Sequence, residues 1–136
     1  MSRADYTRHS IGTVRPYLYG TSSLVEWLKQ TFDAREIERV QGDGGDHVEM
    51  LIGDSVVVLE TGHSPEFATK ASIYVYVPDV DAAYSRAVKG GATSLAAPED
   101  KPYEERGAGV KDSFGNTWWI ATYAGVKPSV NKLVGE

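Results

Sequence analysis

"HVEMLIGDSVVVLE" at residues 47–60 places two short apolar runs on either side of Gly53-Asp54. A two-residue loop between such runs predicts a hairpin, with Ile52 opposite Ser55, Met50 opposite Val57, Glu49 opposite Val58 and His47 opposite Glu60. Opposed residues project to one side of a sheet and successive residues alternate. One face is then Val48, Met50, Ile52, Val57 and Leu59, an apolar surface suited to covering a helix. The other carries His47, Glu49, Leu51, Val56, Val58 and Glu60. A slip of one residue would exchange the two faces, so the parity of this hairpin decides which side chains enter the core and which face outward.

Upstream, "TVRPYLY" at 13–19 sets Val14, Pro16 and Leu18 against Arg15, Tyr17 and Tyr19, the period of a strand, and Pro16 assigns it to an edge. "SSLVEWLKQTF" changes to helical period, with Leu24, Trp27, Leu28 and Phe32 on one side and Ser23 and Glu26 at capping-box spacing. "EIERV" is a further short run, and "GDGGD" is a turn between strands rather than a phosphate loop, because no helix follows it. Downstream the pattern returns. "SIYVYV" at 72–77 alternates Ile73, Val75 and Val77 against Ser72, Tyr74 and Tyr76. Asp79 then suits an N-cap, Val80, Ala83, Tyr84, Ala87 and Val88 recur at helical spacing, and Gly90-Gly91 ends the helix. Tyr74 follows Tyr17, and Tyr76 follows Tyr19, by the same offset of 57 residues. "GVKDSFGNTWWIATY" closes the second copy with a turn and a strand-forming run in which Trp118 faces the core and Trp119 faces away.

These patterns predict an α+β chain of two β-α-β-β-β modules, about 13–61 and 71–123, in a single domain over 1–136. Residues 124–136 are expected to form a tail or an arm on a partner subunit. The formal charge of -5 and the scattered Lys and Arg argue against nucleic acid or an anionic membrane as partner. Absence of cysteine removes disulfides, thiolate nucleophiles and thiolate metal sites. With no apolar run of bilayer-spanning length or leader-like start, a cytoplasmic location is expected.

The tandem modules, "YVYVPDVDAAYSRAVKGGA" opening the second and "KDSFGNTWWIATY" closing it, together with "HVEMLIGDSVVVL", resemble the vicinal oxygen chelate superfamily. This superfamily includes glyoxalase I, bleomycin-binding resistance proteins and extradiol dioxygenases, and within it the chain looks most like small bacterial glyoxalase-like proteins. The resemblance implies a curved mixed sheet forming a ligand cup, helices on its convex face, and a homodimer that completes the cup. It also implies metal ligands on the first, fourth, fifth and eighth strands, at positions that here are Arg15, Val58, Ser72 and Trp119, none a convincing ligand for a divalent metal. Asn116 and Tyr123 stand where relatives often carry histidine. No metal is therefore expected at the usual site.

On that register the cup receives Arg15, Tyr17, Tyr19, Val58, Glu60, Ser72, Tyr74, Tyr76 and Trp119 as candidate ligand-binding residues, with His47 and Glu49 as a candidate acid/base pair. Such a cavity suits a small aromatic or amphipathic molecule, held by sequestration or turned over without metal. A second possibility is a metal-dependent lyase or dioxygenase whose ligands have moved to His47, Glu49 and Glu60. A third is a domain that serves only to dock a partner. His63, in a loop between the modules, is either a solvated residue or one that swings over the cup.

Overall fold

The computed structural model describes residues 6–62 and 64–123, so His63 and the expected tail at 124–136 lie outside the described residues. In chain order the elements are β1 (Tyr17–Tyr19), α1 (Ser22–Phe32), β2 (Arg35–Gly42), β3 (Gly45–Ile52), β4 (Ser55–Glu60), β5 (Ser72–Tyr76), α2 (Val80–Lys89), β6 (Thr93–Lys101), β7 (Glu105–Lys111) and β8 (Thr117–Tyr123), preceded by a 3-10 turn at Arg8–Ser10. This is the α+β, two-module arrangement expected. Hydrogen bonding groups the strands into two four-stranded mixed sheets, ordered β1-β4-β3-β2 and β5-β8-β7-β6. In each, the first strand of the module runs parallel to its last, and the other neighbours are antiparallel.

The hairpin has the register its loop dictates, from His47 opposite Glu60 to Ile52 opposite Ser55. Val48, Met50, Val57 and Leu59 are buried and share one core with Leu24, Val25, Trp27, Leu28 and Phe32 of α1. Val75, Ala108, Val110, Trp118 and Ile120 do the same for the second sheet, with Val80, Ala83 and Ala87 of α2. Trp118 ties the two halves together. Its ring centroid lies 5.6 Å from that of Trp27 and 5.2 Å from that of Phe32, and the Trp27 indole N–H donates to the Ala87 carbonyl at 3.0 Å. Aromatic burial of this kind is worth several kcal/mol per cluster, about 1.5–3 kcal/mol for each large side chain.

Local chemistry explains the boundaries. Thr21, rather than Ser23, caps α1: its hydroxyl accepts from the Ser23 N–H, which places Ser23 inside the first turn. Glu26 instead meets Lys29 at 3.3 Å. Asp79 caps α2, accepting from the Ala82 N–H at 3.1 Å. The first strand is shorter than its alternation implies, three residues rather than seven, because Thr13–Arg15 leave the ladder, whereas the Pro16 carbonyl still accepts from the Val58 N–H at 2.9 Å. The buried Asp112 carboxylate accepts from the backbone N–H groups of Phe114 and Asn116, from the Asn116 amide and from the Trp118 indole. Asn116 in turn accepts from the Ala71 N–H at 2.9 Å, so it closes the turn that delivers β8 and does not line a cup.

The outermost strands, β2 and β6, are interrupted by register shifts that blunt them as templates for further pairing. The other edges belong to β1 and β5, and neither has a partner strand on its outer side among the described residues. Between them runs a cleft of about 710 Å³, lined by Val14, Pro16 and Val57 on one side, Ile73–Pro78 on the other, and Phe32 and Trp118 at its base. Among the described residues, no helix is long and apolar enough to cross a membrane.

Candidate functional site

The faces turned away from the helices can be compared row by row. In the first sheet, Tyr17 pairs with Val58 and Val58 with Glu49; two residues along, Tyr19 pairs with Glu60 and Glu60 with His47. In the second, Tyr74 pairs with Trp119 and Trp119 with Gly109, then Tyr76 with Ala121 and Ala121 with Gly107. The tyrosines recur. The residues beside them are charged in one module and aromatic or nearly without side chain in the other.

On the first face the N-terminal segment lies across the sheet. Gly12, at φ 76°, packs so closely on Val56 that an added Cβ would come within 2.8 Å of a valine methyl. Arg15 holds this segment in place, donating to the carbonyls of Gly12 at 2.8 Å and Ile11 at 2.8 Å, to that of Arg8, and to the Glu49 carboxylate at 3.1 Å. His9 lies 2.9 Å from Glu38 and 3.2 Å from Glu49, and Arg8 binds Glu38 through two nitrogens. As a result Glu49, Val56 and Val58 are all buried on what the sequence presents as an open face.

His47 is bound at both ends, Nδ1 at 2.6 Å from Glu60 and Nε2 at 3.0 Å from Glu49. A neutral imidazole has one N–H, so two carboxylate contacts call for the doubly protonated ring. The hydrogen bonds it donates to Glu60 and then Glu49 accordingly raise its pKa above the usual 6.5. In this arrangement His47 has no lone pair ready to take a proton. The hydrogen bond from Arg8 lowers the Glu38 pKa to about 2, and partial burial with the 2.7 Å bond to Glu60 pushes the Tyr17 phenol up to about 12.

Metal binding can be tested on the donor set. Arg15, Val58, Ser72 and Trp119 offer one neutral hydroxyl among them, so the usual four positions do not fit a divalent ion. The set His47, Glu49 and Glu60 does not converge on one point, because the imidazole stands between the carboxylates and turns a different nitrogen to each. A tighter group, His9, Glu38 and Glu49, brings three donor atoms within 4.8 Å of one another. Its two carboxylates are already matched by the guanidinium groups of Arg8 and Arg15, which disfavours a further dication there.

The second face is open. Tyr74, Tyr76 and Trp119 are 50%, 61% and 39% exposed, and Tyr103, from the turn before β7, is 58% exposed. The Trp119 ring lies flat over Gly109, where a Cβ would meet the ring at 2.4 Å. Both tyrosine hydroxyls donate to Glu105, Tyr74 to one oxygen and Tyr76 to the other at 2.5 Å. Removal from water, then the Glu105 hydrogen bond, raises the Tyr74 pKa above its usual 10. Ser72 is exposed at the start of β5.

Each site residue anticipated from the sequence thus lies on the helix-distal side of its module, but they fall into two separate groups. Arg15, Tyr17, Tyr19, His47, Glu49, Val58 and Glu60 are on one sheet, and Ser72, Tyr74, Tyr76 and Trp119 on the other. Arg8, His9, Glu38, Tyr103 and Glu105 were not anticipated. The first two sit in a stretch whose only sequence signal is polarity, and Glu105 lies in a short strand of small residues with no apolar alternation to set its register.

The chain belongs to the Glyoxalase/Bleomycin resistance protein/Dioxygenase superfamily, whose model matches residues 21–120. It is 31% identical over 110 residues to an uncharacterized protein of Mycobacterium tuberculosis (strain ATCC 25618 / H37Rv), a match that spans 71% of this chain and 65% of the mycobacterial one. Among solved structures it is similar to TioX from Micromonospora sp. ML1, with a TM-score of 0.66 and 25% identity, over 86% of this chain and 100% of that one. The fosfomycin resistance protein FosX from Mesorhizobium loti shares the fold, with a TM-score of 0.61 and 21% identity, over 90% of this chain and 97% of that one.

Proposed function

We propose that the chain is a cytoplasmic, homodimeric small-molecule-binding protein that receives an aromatic or amphipathic ligand on the aromatic face of its second module. The observation that carries this is the exposure of Tyr74, Tyr76 and Trp119 together on one sheet face, beside the unpaired edge of β5. Grouped aromatic surface of this kind is costly in water and marks a site of contact. Homodimer formation is supported by the edges of β1 and β5, unpaired among the described residues, and by the cleft between them. A second copy pairing along these edges satisfies their backbone groups and walls the aromatic face. The cytoplasmic location rests on sequence character alone.

Binding acts by sequestration in this proposal. Metal-free catalysis by His47 and Glu49 would first require a ligand to break their contacts with Glu60 and Arg15. Support for binding without the usual metal comes from the donor set at the four family positions. The test is equilibrium titration of the full chain with a panel of soluble aromatic compounds, with and without chelator. Saturable binding that chelator does not change and Trp119→Ala weakens at least tenfold is the expected result. Binding abolished by chelator, or indifferent to Trp119→Ala, would contradict it.

A further inference from the structure

The chemistry around Glu105 narrows the ligand class, given the binding function proposed above. Carboxylates on the first module's face have basic partners: Glu38 has Arg8, Glu49 has Arg15, and Glu60 has His47. Glu105 has none among the described residues. Its register neighbour Lys101 pairs with the exposed Glu99 at 2.7 Å, and Arg106, next in sequence, pairs with Asp81 and Asp100. Among the described residues, the Tyr74 and Tyr76 hydroxyls meet the Glu105 carboxylate in side-chain hydrogen bonds. A phenol that donates to an anion gains electron density in its ring, which strengthens the attraction of that ring for a cation.

A small depression of about 40 Å³ lies beside this pair, walled by Tyr74, Tyr103 and Trp119, with Gly107 in its floor and the Lys101 stem along one side. Its volume is that of a single small polar group, a little above the share of one water in the liquid, ~30 Å³. Three aromatic rings around a pocket of this size, backed by an anion without a basic partner among the described residues, form a receptor for an ammonium head group. The half-exposed Trp119 extends the surface beyond the depression.

We infer that the second module's face selects organic cations: a primary ammonium group enters the depression between Tyr74, Tyr103 and Trp119, with its aromatic or apolar body lying on the exposed surface beside it. The test is calorimetric titration of the full chain at pH 7 with benzylammonium, benzyl alcohol and benzoate. The cation should bind about tenfold more tightly than the alcohol, and benzoate more weakly than either. Glu105→Gln, which retains an acceptor for a tyrosine hydroxyl, should remove most of the cation's advantage and leave the alcohol unchanged. Tyr103→Ala, at an exposed turn, should weaken the cation without affecting folding. Equal affinity for cation and alcohol, with binding still lost in Trp119→Ala, would overturn the cation selectivity and leave the binding function standing. Binding of none of the probes would overturn both.

Discussion

Glu49 and Gly109 occupy corresponding places in the two modules, each directly across from the last strand at the row led by a tyrosine of the first strand. One is a buried carboxylate clamped by Arg15 and overlain by the chain's own N-terminal segment. The other is a glycine over which Trp119 lies flat and half-exposed. In the next row, the His47–Glu60 pair corresponds to Gly107 and Ala121. Two copies of one supersecondary unit can therefore keep the same topology and the same tyrosines while one face is filled from within and the other left open. The fold comes from the repeated pattern of core residues, and the function from what differs between the copies.

The contrast predicts a large effect on the filled side. Arg15→Ala leaves the buried Glu49 carboxylate without its guanidinium and releases the N-terminal segment, and should cost about 3 kcal/mol in denaturant unfolding. A loss under 1 kcal/mol would mean that the segment does not depend on this clamp. A neighbouring pair of tryptophans carries the same contrast to one core residue and one open residue. Trp118→Ala, in the fully buried cluster, should cost about 3–5 kcal/mol, whereas Trp119→Ala should cost about 1 kcal/mol and act chiefly on ligand affinity. Equal destabilisation by the two would show that Trp119 is a core residue.

Smaller again is the pH dependence of the first module. The raised His47 pKa means that its contribution to stability is complete below about 6.5 and is lost as pH rises through the folded-state value. The lowered Glu38 pKa works in the other sense, complete above about 4.5 and lost as pH falls toward about 2. Hydrogen exchange at the amides of residues 8–15 should therefore be slowest between these limits, near pH 5–6 after correction for the intrinsic rate, and His47→Ala should remove the alkaline limb. Protection that does not vary with pH would separate the segment from the charged network. The smallest effect should be that of Glu105→Gln on stability, within about 0.5 kcal/mol, because the second face is not held together by its carboxylate.

Much of the fold was legible. Gly53-Asp54 fixes the hairpin parity, and the repeated tyrosine offset sets the two modules in parallel, so core and outward faces were assigned residue by residue. Apolar alternation carries that information because a strand with one buried face admits a single register. The candidate site was legible in membership and not in grouping. Arg15 sits in a segment that alternates like a strand, yet its guanidinium bonds to three carbonyls and turns the chain across the sheet. His9, Glu38 and Glu105 gain their roles from partners distant in sequence, Glu49, Arg8 and Tyr74 among them, which no local period encodes. Thr21 displaced Ser23 as the cap of α1 because hydroxyl residues two apart compete for the same first turn.

The most direct test of the central claim uses the three tryptophans, which report three places: Trp27 in the core between the helices, Trp118 at the base of the inter-module cleft, and Trp119 on the open face. Fluorine NMR of the full chain labelled with 5-fluorotryptophan, titrated with a ligand that binds, should move the Trp119 resonance and leave the other two in place. Movement of the Trp118 resonance with Trp119 unchanged would put the ligand in the cleft between the modules and contradict the account.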